Sequence, residues 1–215
     1  MKSFLIIGMG TFGHHLCREL AKQKCEIMVA DSRSEMLEDV LPLVVSAKIA
    51  DCANEEVLRT FDIPSFDACF VCIGGSFQYS LEITSLLKEL GAKKVFSKAD
   101  EDIQAKFLRR IGADEVIYPE QDAAARIAVS ESSDSIFDCI PLSPDFAIYE
   151  IMPHSKWIGK TIRELDIRKN YGLNILASKQ DGVLNAMPGV DYVFKREEHL
   201  VVMGKTEDIW RAVER

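Results

Sequence analysis

Gly8-Met9-Gly10-Thr11-Phe12-Gly13 has the G-x-G-x-x-G spacing that brings a backbone close to a pyrophosphate. Gly8 permits the tight turn, Gly10 leaves room for the anion, and Gly13 lets the following helix pack against its strand. The unpaired N–H groups at that helix start supply the donors. Asp31 lies 18 residues after Gly13, at the end of the next apolar run. A carboxylate there accepts hydrogen bonds from ribose hydroxyls and repels a 2′-phosphate, which favours NAD, ADP or ATP over NADP. Arg33, two residues on, is expected to be a solvated arginine at a helix start. Asp51, Gly74-Gly75-Ser76, Lys98 and Glu120 follow later apolar runs and are expected along the same edge, where ligands gather in open α/β sheets.

Other reactive residue types form no catalytic set. Cys69 and Cys72 have C-x-x-C spacing, but on a strand residues three apart face opposite ways, so they are expected to be buried packing thiols. His14 and His15 follow the glycines with no acid or base partner evident in the sequence, and His154 and His199 lie far along the chain. A nicotinamide dehydrogenase, the alternative reading of the glycine motif, needs a group that handles the substrate proton and a substrate domain. The chain is therefore expected not to be an enzyme.

These residues need an alternating frame. Apolar runs predict strands at 4–7, 26–30, 44–49, 68–73, 95–97 and 115–118. Helices are predicted at 11–23, 34–40, 54–60, 79–90, 101–111 and 123–132. Six strands, apolar on both faces and separated by helices, predict a Rossmann-like, doubly wound parallel sheet. The alternation stops at Ser132-Ser133-Asp134-Ser135. Beyond it, strands at 146–151, 173–177 and 199–203, a short helix at 161–165 and a terminal helix from 206 predict a small α+β lobe. The expected domains are 1–134 and 135–215. A lobe of about 80 residues has a marginal core that pairing with a second copy would help to bury.

Composition narrows the partners. The 215 residues are 47% apolar and 28% charged, which excludes low-complexity and disordered classes. A net charge of -8 disfavours nucleic acid. No apolar run approaches the ~20 residues of a membrane span, no secretory signal is read at the N-terminus, and six cysteines suit a reducing compartment. A cytoplasmic location is expected.

The sequence resembles the RCK (KTN) regulators of potassium uptake, the TrkA/KtrA family, over nearly its whole length. The residues that carry the resemblance are Ile7 to Gly13, Asp31, Ile73 to Ser76, Ser97-Lys98-Ala99, Ile111 to Asp114 and Tyr118 to Asp122. In the tail they are Ile158 to Arg168, Tyr171-Gly172 and Val201 to Gly204. The resemblance implies a Rossmann-like RCK N-lobe with a crossover helix and a dimerising C-lobe. It further implies a homodimer, assembled into an octameric ring at the inner face of the membrane, that gates a potassium channel or transporter subunit of the KtrB/TrkH kind. The implied adenine-nucleotide site comprises Gly8, Met9, Gly10, Thr11, Phe12, Gly13, Asp31, Ser32, Asp51, Cys52, Gly74, Gly75, Ser76, Lys98 and Glu120, with Glu120 also the ligand of a divalent Mg or Ca ion between subunits. Ile162, Ile167, Arg168 and Pro188 match a cyclic di-AMP site of some C-lobes. Thr11 stands where such proteins usually carry an arginine that reaches the ATP γ-phosphate. Loss of a charge-assisted bond removes about 1.5–3 kcal/mol, so ADP, AMP and NAD(H) are expected to compete with ATP.

Overall fold

The structure is a computed structural model that describes residues 1–213. Its first half alternates as the apolar pattern requires: β1 (Ser3–Ile7), α1 (Thr11–Lys22), β2 (Glu26–Asp31), β3 (Ser46–Ile49), α2 (Glu55–Arg59), β4 (Ala68–Val71), α3 (Phe77–Glu89), β5 (Val95–Lys98), α4 (Asp102–Arg110), β6 (Glu115–Ile117) and α5 (Pro119–Glu131). The strands pair in parallel in the order β3-β2-β1-β4-β5-β6. The order reverses between β1 and β4, and the register sets Ile7 beside Ala30 on one flank and Val71 on the other. The segments leaving these strands therefore diverge from one level, the geometry that opens a ligand crevice.

Strand alternation divides the core in two. Leu5, Ile7, Met28, Ala30, Cys69 and Val71 face α2 and α3 and pack on Leu58, Ile83 and Leu87. Ile6, Ile27, Val29, Phe70 and Cys72 face the other way and pack with Cys17 of α1 and Val40. Cys69 and Cys72 thus lie in opposite layers, as strand geometry requires. Not every strand is apolar on both faces: edge strand β3 leaves Lys48 and Ile49 exposed, since nothing pairs beyond it. In place of the helix expected at 34–40 are two 3₁₀ segments, Ser34–Met36 and Glu38–Leu43. Pro42 in the second supplies no N–H, which disfavours an α-helical ladder. Conversely α5 begins four residues before the expected start, with Pro119 in its first turn, where its fixed φ suits a helix.

The remainder forms β7 (Ile136–Pro141), β8 (Phe146–Ile151), α6 (Ile162–Leu165), α7 (Ile167–Tyr171), β9 (Asn174–Gln180), β10 (Val183–Ala186), β11 (His199–Lys205) and α8 (Thr206–Val213). Its antiparallel sheet has the order β10-β9-β11-β8-β7. The three expected strands and the terminal helix are present; β7 and β10, the two sheet edges, are additional. Trp157, fully buried, centres the core with Tyr149, Phe194, Leu200 and Ile209. A capping box starts α6, with the Thr161 side chain accepting from the Glu164 N–H and the Glu164 carboxylate accepting from the Thr161 N–H. By contacts the chain divides into Met1–Glu120 and Gln121–Arg215. The expected boundary after 134 instead keeps all of α5 with the first lobe. Helix α5 has no buried residue, and its Val129 packs on the core of the second unit.

One buried polar contact joins α3 to β5: the Thr84 and Ser97 hydroxyls, both fully buried, lie 2.7 Å apart. Thr84→Val keeps the shape and strands the Ser97 hydroxyl, so urea unfolding is expected to show a loss of about 1–3 kcal/mol. Thr84→Val with Ser97→Ala is expected to lose less than the single variant, since no polar group then stays unpaired.

Candidate functional site

Segments leaving β1 to β4 enclose a cavity of about 380 Å³ at the switch point. Its walls come from Ile7, Gly8 and Gly10, from Ala30 to Arg33, from Ala50-Asp51-Cys52, and from Cys72-Ile73-Gly74, with Tyr79 and Ile83 of α3. Gly8 has φ +91°, and its N–H donates to the Ala30 carbonyl at 2.9 Å. Gly13 is fixed by contact instead: a Cβ there would lie 2.2 Å from the Gly8 carbonyl oxygen, so only glycine lets α1 come this close. A Cβ at Gly10 would meet nothing within 4 Å, so there is open space beside the start of α1, and Gly10 has no side chain with which to cap the first-turn N–H groups.

Asp31, only 8% exposed, is held by the chain around it. Its Oδ2 accepts from the Met9 N–H at 2.7 Å and its Oδ1 from the Arg33 N–H at 3.0 Å. The Arg33 Nε stands 3.5 Å from Oδ1. Arg33, expected to point into solvent, therefore leans on Asp31 and lines the cavity, although its side chain is 58% exposed. Asp51 Oδ1 accepts from the Ala53 N–H at 3.0 Å. Burial pushes the Cys52 thiol up to about 12, with Asp51 and Asp31 adding to the shift. Burial also pushes the Cys72 thiol up to about 12, although Lys98 opposes the shift. Both thiols are protonated near neutral pH and serve as wall, not as nucleophiles.

The cavity thus gathers Gly8, Gly10, Asp31, Ser32, Asp51, Cys52 and Gly74 of the expected set. Other members do different work nearby. The Met9 side chain is fully buried, and Met9 and Phe12 pack on the α1 side of the core. Thr11 is exposed at the start of α1. Gly75 takes φ +80°, and the Ser76 hydroxyl caps α3. Lys98, 8% exposed, pairs with Asp100 and, at 3.1 Å, with Glu120. Burial works against its charge, but the bonds from Asp100 and Glu120 outweigh that and raise its pKa. Glu120 is not a loop residue: it sits in the first turn of α5 with its side chain 72% exposed. Among the described residues, no group of three His, Cys, Asp or Glu is arranged to hold a metal ion. Ile7, Ala50, Ile73, Tyr79 and Ile83 were not expected in the wall. Ile7 is the last residue of β1, and Ala50 and Ile73 lie one and two residues beyond β3 and β4, within reach of the strand-end rule; Tyr79 carries no signal beyond its spacing from Ser76.

In the second unit, Ile167 is 2% exposed and lies in the core, so it offers no face to a ligand. Its neighbour Arg168 faces outward from α7. Ile162 and Pro188 are half-buried. Arg168 is exposed and, among the described residues, makes no ion pair with Asp166 or Glu164. No helix among these residues is long and apolar enough to cross a membrane.

The TrkA-N domain matches residues 4–119 and the TrkA-C domain residues 146–214. Ktr system potassium uptake protein C of Bacillus subtilis is 36% identical over 98% of this chain and 95% of its own length. Ktr system potassium uptake protein A of the same organism is 34% identical over 98% and 95%. The GsuK channel bound to NAD has the same fold, with a TM-score of 0.69 at 19% identity over 96% of this chain and 38% of that one. With one domain matching more than half of its length and two relatives above 30% identity along nearly all of it, the chain belongs to the TrkA-N/TrkA-C family of Ktr potassium uptake proteins.

Proposed function

We propose that the chain is the nucleotide-sensing regulatory subunit of a potassium uptake system, acting from the cytoplasmic side on a separate membrane-embedded channel or transporter subunit. The observation that carries this reading is the cavity at the β1/β4 switch point, with a glycine loop and uncapped helix start on one wall and Asp31 on the other. The GsuK channel bound to NAD, which shares this fold, supports an adenine nucleotide as ligand. AMP, ADP, ATP and NAD(H) share the adenosine that Asp31, Ser32, Asp51 and Cys52 would hold. Regulation needs binding and shape change, not turnover, and the cavity fits that: its thiols are protonated and its carboxylates are bonded to backbone amides. Helix α5 serves as the connecting crossover, and copies associate as dimers and then as an octameric ring.

Thermal unfolding with ATP, ADP, AMP, NAD⁺ and NADH tests the reading: at 100 times its Kd a ligand should add about 2.7 kcal/mol of stability. No stabilisation by any of the five would refute it. Asp31→Ala, which removes an acceptor for both ribose and the Met9 N–H, is expected to weaken calorimetric binding by roughly tenfold or more. Unchanged affinity would remove Asp31 from the site.

Two further ligands belong to this reading. Glu120 from two copies, close to nucleotide phosphates, would concentrate negative charge that a hard cation such as Mg²⁺ or Ca²⁺ neutralises. Either ion is expected to raise the melting temperature of the nucleotide-bound protein, and to do so less in Glu120→Gln; an equal effect in both removes the cation site. Cyclic di-AMP, a two-fold ligand suited to a two-fold C-lobe interface, would meet Arg168, Ile162 and Pro188. Titration at tens of micromolar is expected to show binding to the wild type and at least tenfold weaker binding to Arg168→Ala.

A further inference from the structure

Of the charged side chains on the cavity wall, Asp31 and Asp51 are acidic and Arg33 is basic. Arg33 is held at one end only. Its own N–H donates to Asp31 Oδ1, and its Nε lies 3.5 Å from the same oxygen. Among the described residues, the two terminal guanidinium nitrogens have no hydrogen-bond partner, and the side chain is 58% exposed. A planar donor fork is thus anchored beside the ribose carboxylate with its outer edge open.

The same contacts change what Asp31 presents to a ribose. One oxygen is taken by the Met9 N–H and the other by the Arg33 N–H, with the guanidinium alongside. Each oxygen thus keeps one further lone pair for a sugar hydroxyl, and the guanidinium 3.5 Å away offsets part of the negative charge. A bare aspartate at this position rejects a 2′-phosphate by charge; one already compensated by an adjacent arginine does so far less, and an arginine near this position is the usual means of accommodating that phosphate. Ser32, exposed and on the same wall, adds a hydroxyl donor within the same short segment.

We propose that Arg33 makes the ribose end of this cavity accept adenine nucleotides bearing a 2′-phosphate, the NADP(H) class, as well as those with a free 2′-hydroxyl. The inference rests on the adenine-nucleotide reading of the cavity and adds a ligand class that Asp31 alone excludes. Arg33 swings its terminal nitrogens from solvent onto the phosphate while its backbone N–H keeps Asp31 in position.

The test uses the full-length chain and two probes that differ only in the group at issue, AMP and adenosine 2′,5′-bisphosphate, titrated by calorimetry at low and physiological salt. The wild type is expected to bind the bisphosphate within tenfold of AMP. Arg33→Ala is expected to lose at least tenfold for the bisphosphate and less than threefold for AMP, because a bidentate charge-assisted contact is removed only from the first. Arg33→Lys, which keeps the charge and loses the fork, should fall between. The side chain is largely solvent-exposed, and an unchanged melting temperature of the free variants verifies their fold. Discrimination against the bisphosphate by more than tenfold in the wild type, or an equal loss of both probes in Arg33→Ala, overturns the proposal and leaves the adenine site standing. Failure of the wild type to bind either probe overturns the proposal, and the adenine site falls with it only if ATP, ADP and NAD(H) also fail to bind.

Discussion

A carboxylate withdrawn from water must find donors nearby, and Asp31 finds them in the backbone. Its 2.7 Å bond to the Met9 N–H ties the end of β2 to the loop that leaves β1. That bond closes the glycine loop over the sheet edge, and the Gly8 N–H bond to Ala30 fixes the same two segments one residue earlier. On the far side of the loop, Gly13 rests against the Gly8 carbonyl at a distance no side chain would tolerate. The direction of α1, and so the direction in which its free N–H groups point, follows from these contacts. A buried acidic residue that looks at first like a ligand group is also the brace that shapes the ligand site.

The brace works because the strands beneath it cannot shift. With β1 central and paired in parallel on both flanks, its residues alternate between two packed layers, and a one-residue slip would exchange Leu5 and Ile7 for Ile6 across the sheet. Cys69 and Cys72 are part of that record: each fills its own layer, and the Cys72 thiol, pushed up to about 12 by burial, is a small apolar side chain that also lines the cavity. Function and packing therefore share residues at the carboxyl end of the sheet, and so Met9, inside the glycine motif, spends its side chain on the core while its backbone serves the site.

What could be read from sequence follows the strength of the local signal. The buried strands β1, β2 and β4 and the glycine loop combine period, spacing and context, and the cavity gathers Gly8, Gly10, Asp31 and Gly74 to which they pointed; Asp51 was expected after β3, and Ser32 and Cys52 came only with the family resemblance. Edge strands were harder. β10 is exposed along its whole length, so no apolar pattern marks it, yet Asp181 and Gly182 both take positive φ between β9 and β10, the hairpin signature of a D-G turn. β7 carries a register shift between Ile136 and Asp138 that breaks its alternation. Pro119 was a readable start for α5. Ile167 beside Arg168 was not legible: in a five-residue helix nothing but tertiary packing decides which of two neighbours turns inward.

Electrostatics sets the remaining constraint. The chain has a net charge of -8, and Lys98, the buried cation at the end of β5, is already engaged by Asp100 and Glu120. An anionic ligand therefore gains little from a general positive field, and long-range steering is unfavourable. What attracts it must act at contact: aligned N–H groups at the start of α1, which carry partial positive charge without adding to the net, and the open edge of the Arg33 guanidinium. The helix N–H groups are fixed before the ligand arrives, so little ordering of the backbone is needed on binding, whereas the exposed Arg33 side chain must be ordered by the ligand. Lys98 is neutralised within the first unit, at 3.1 Å from Glu120 in the first turn of α5, and adds no free positive charge to the sheet edge.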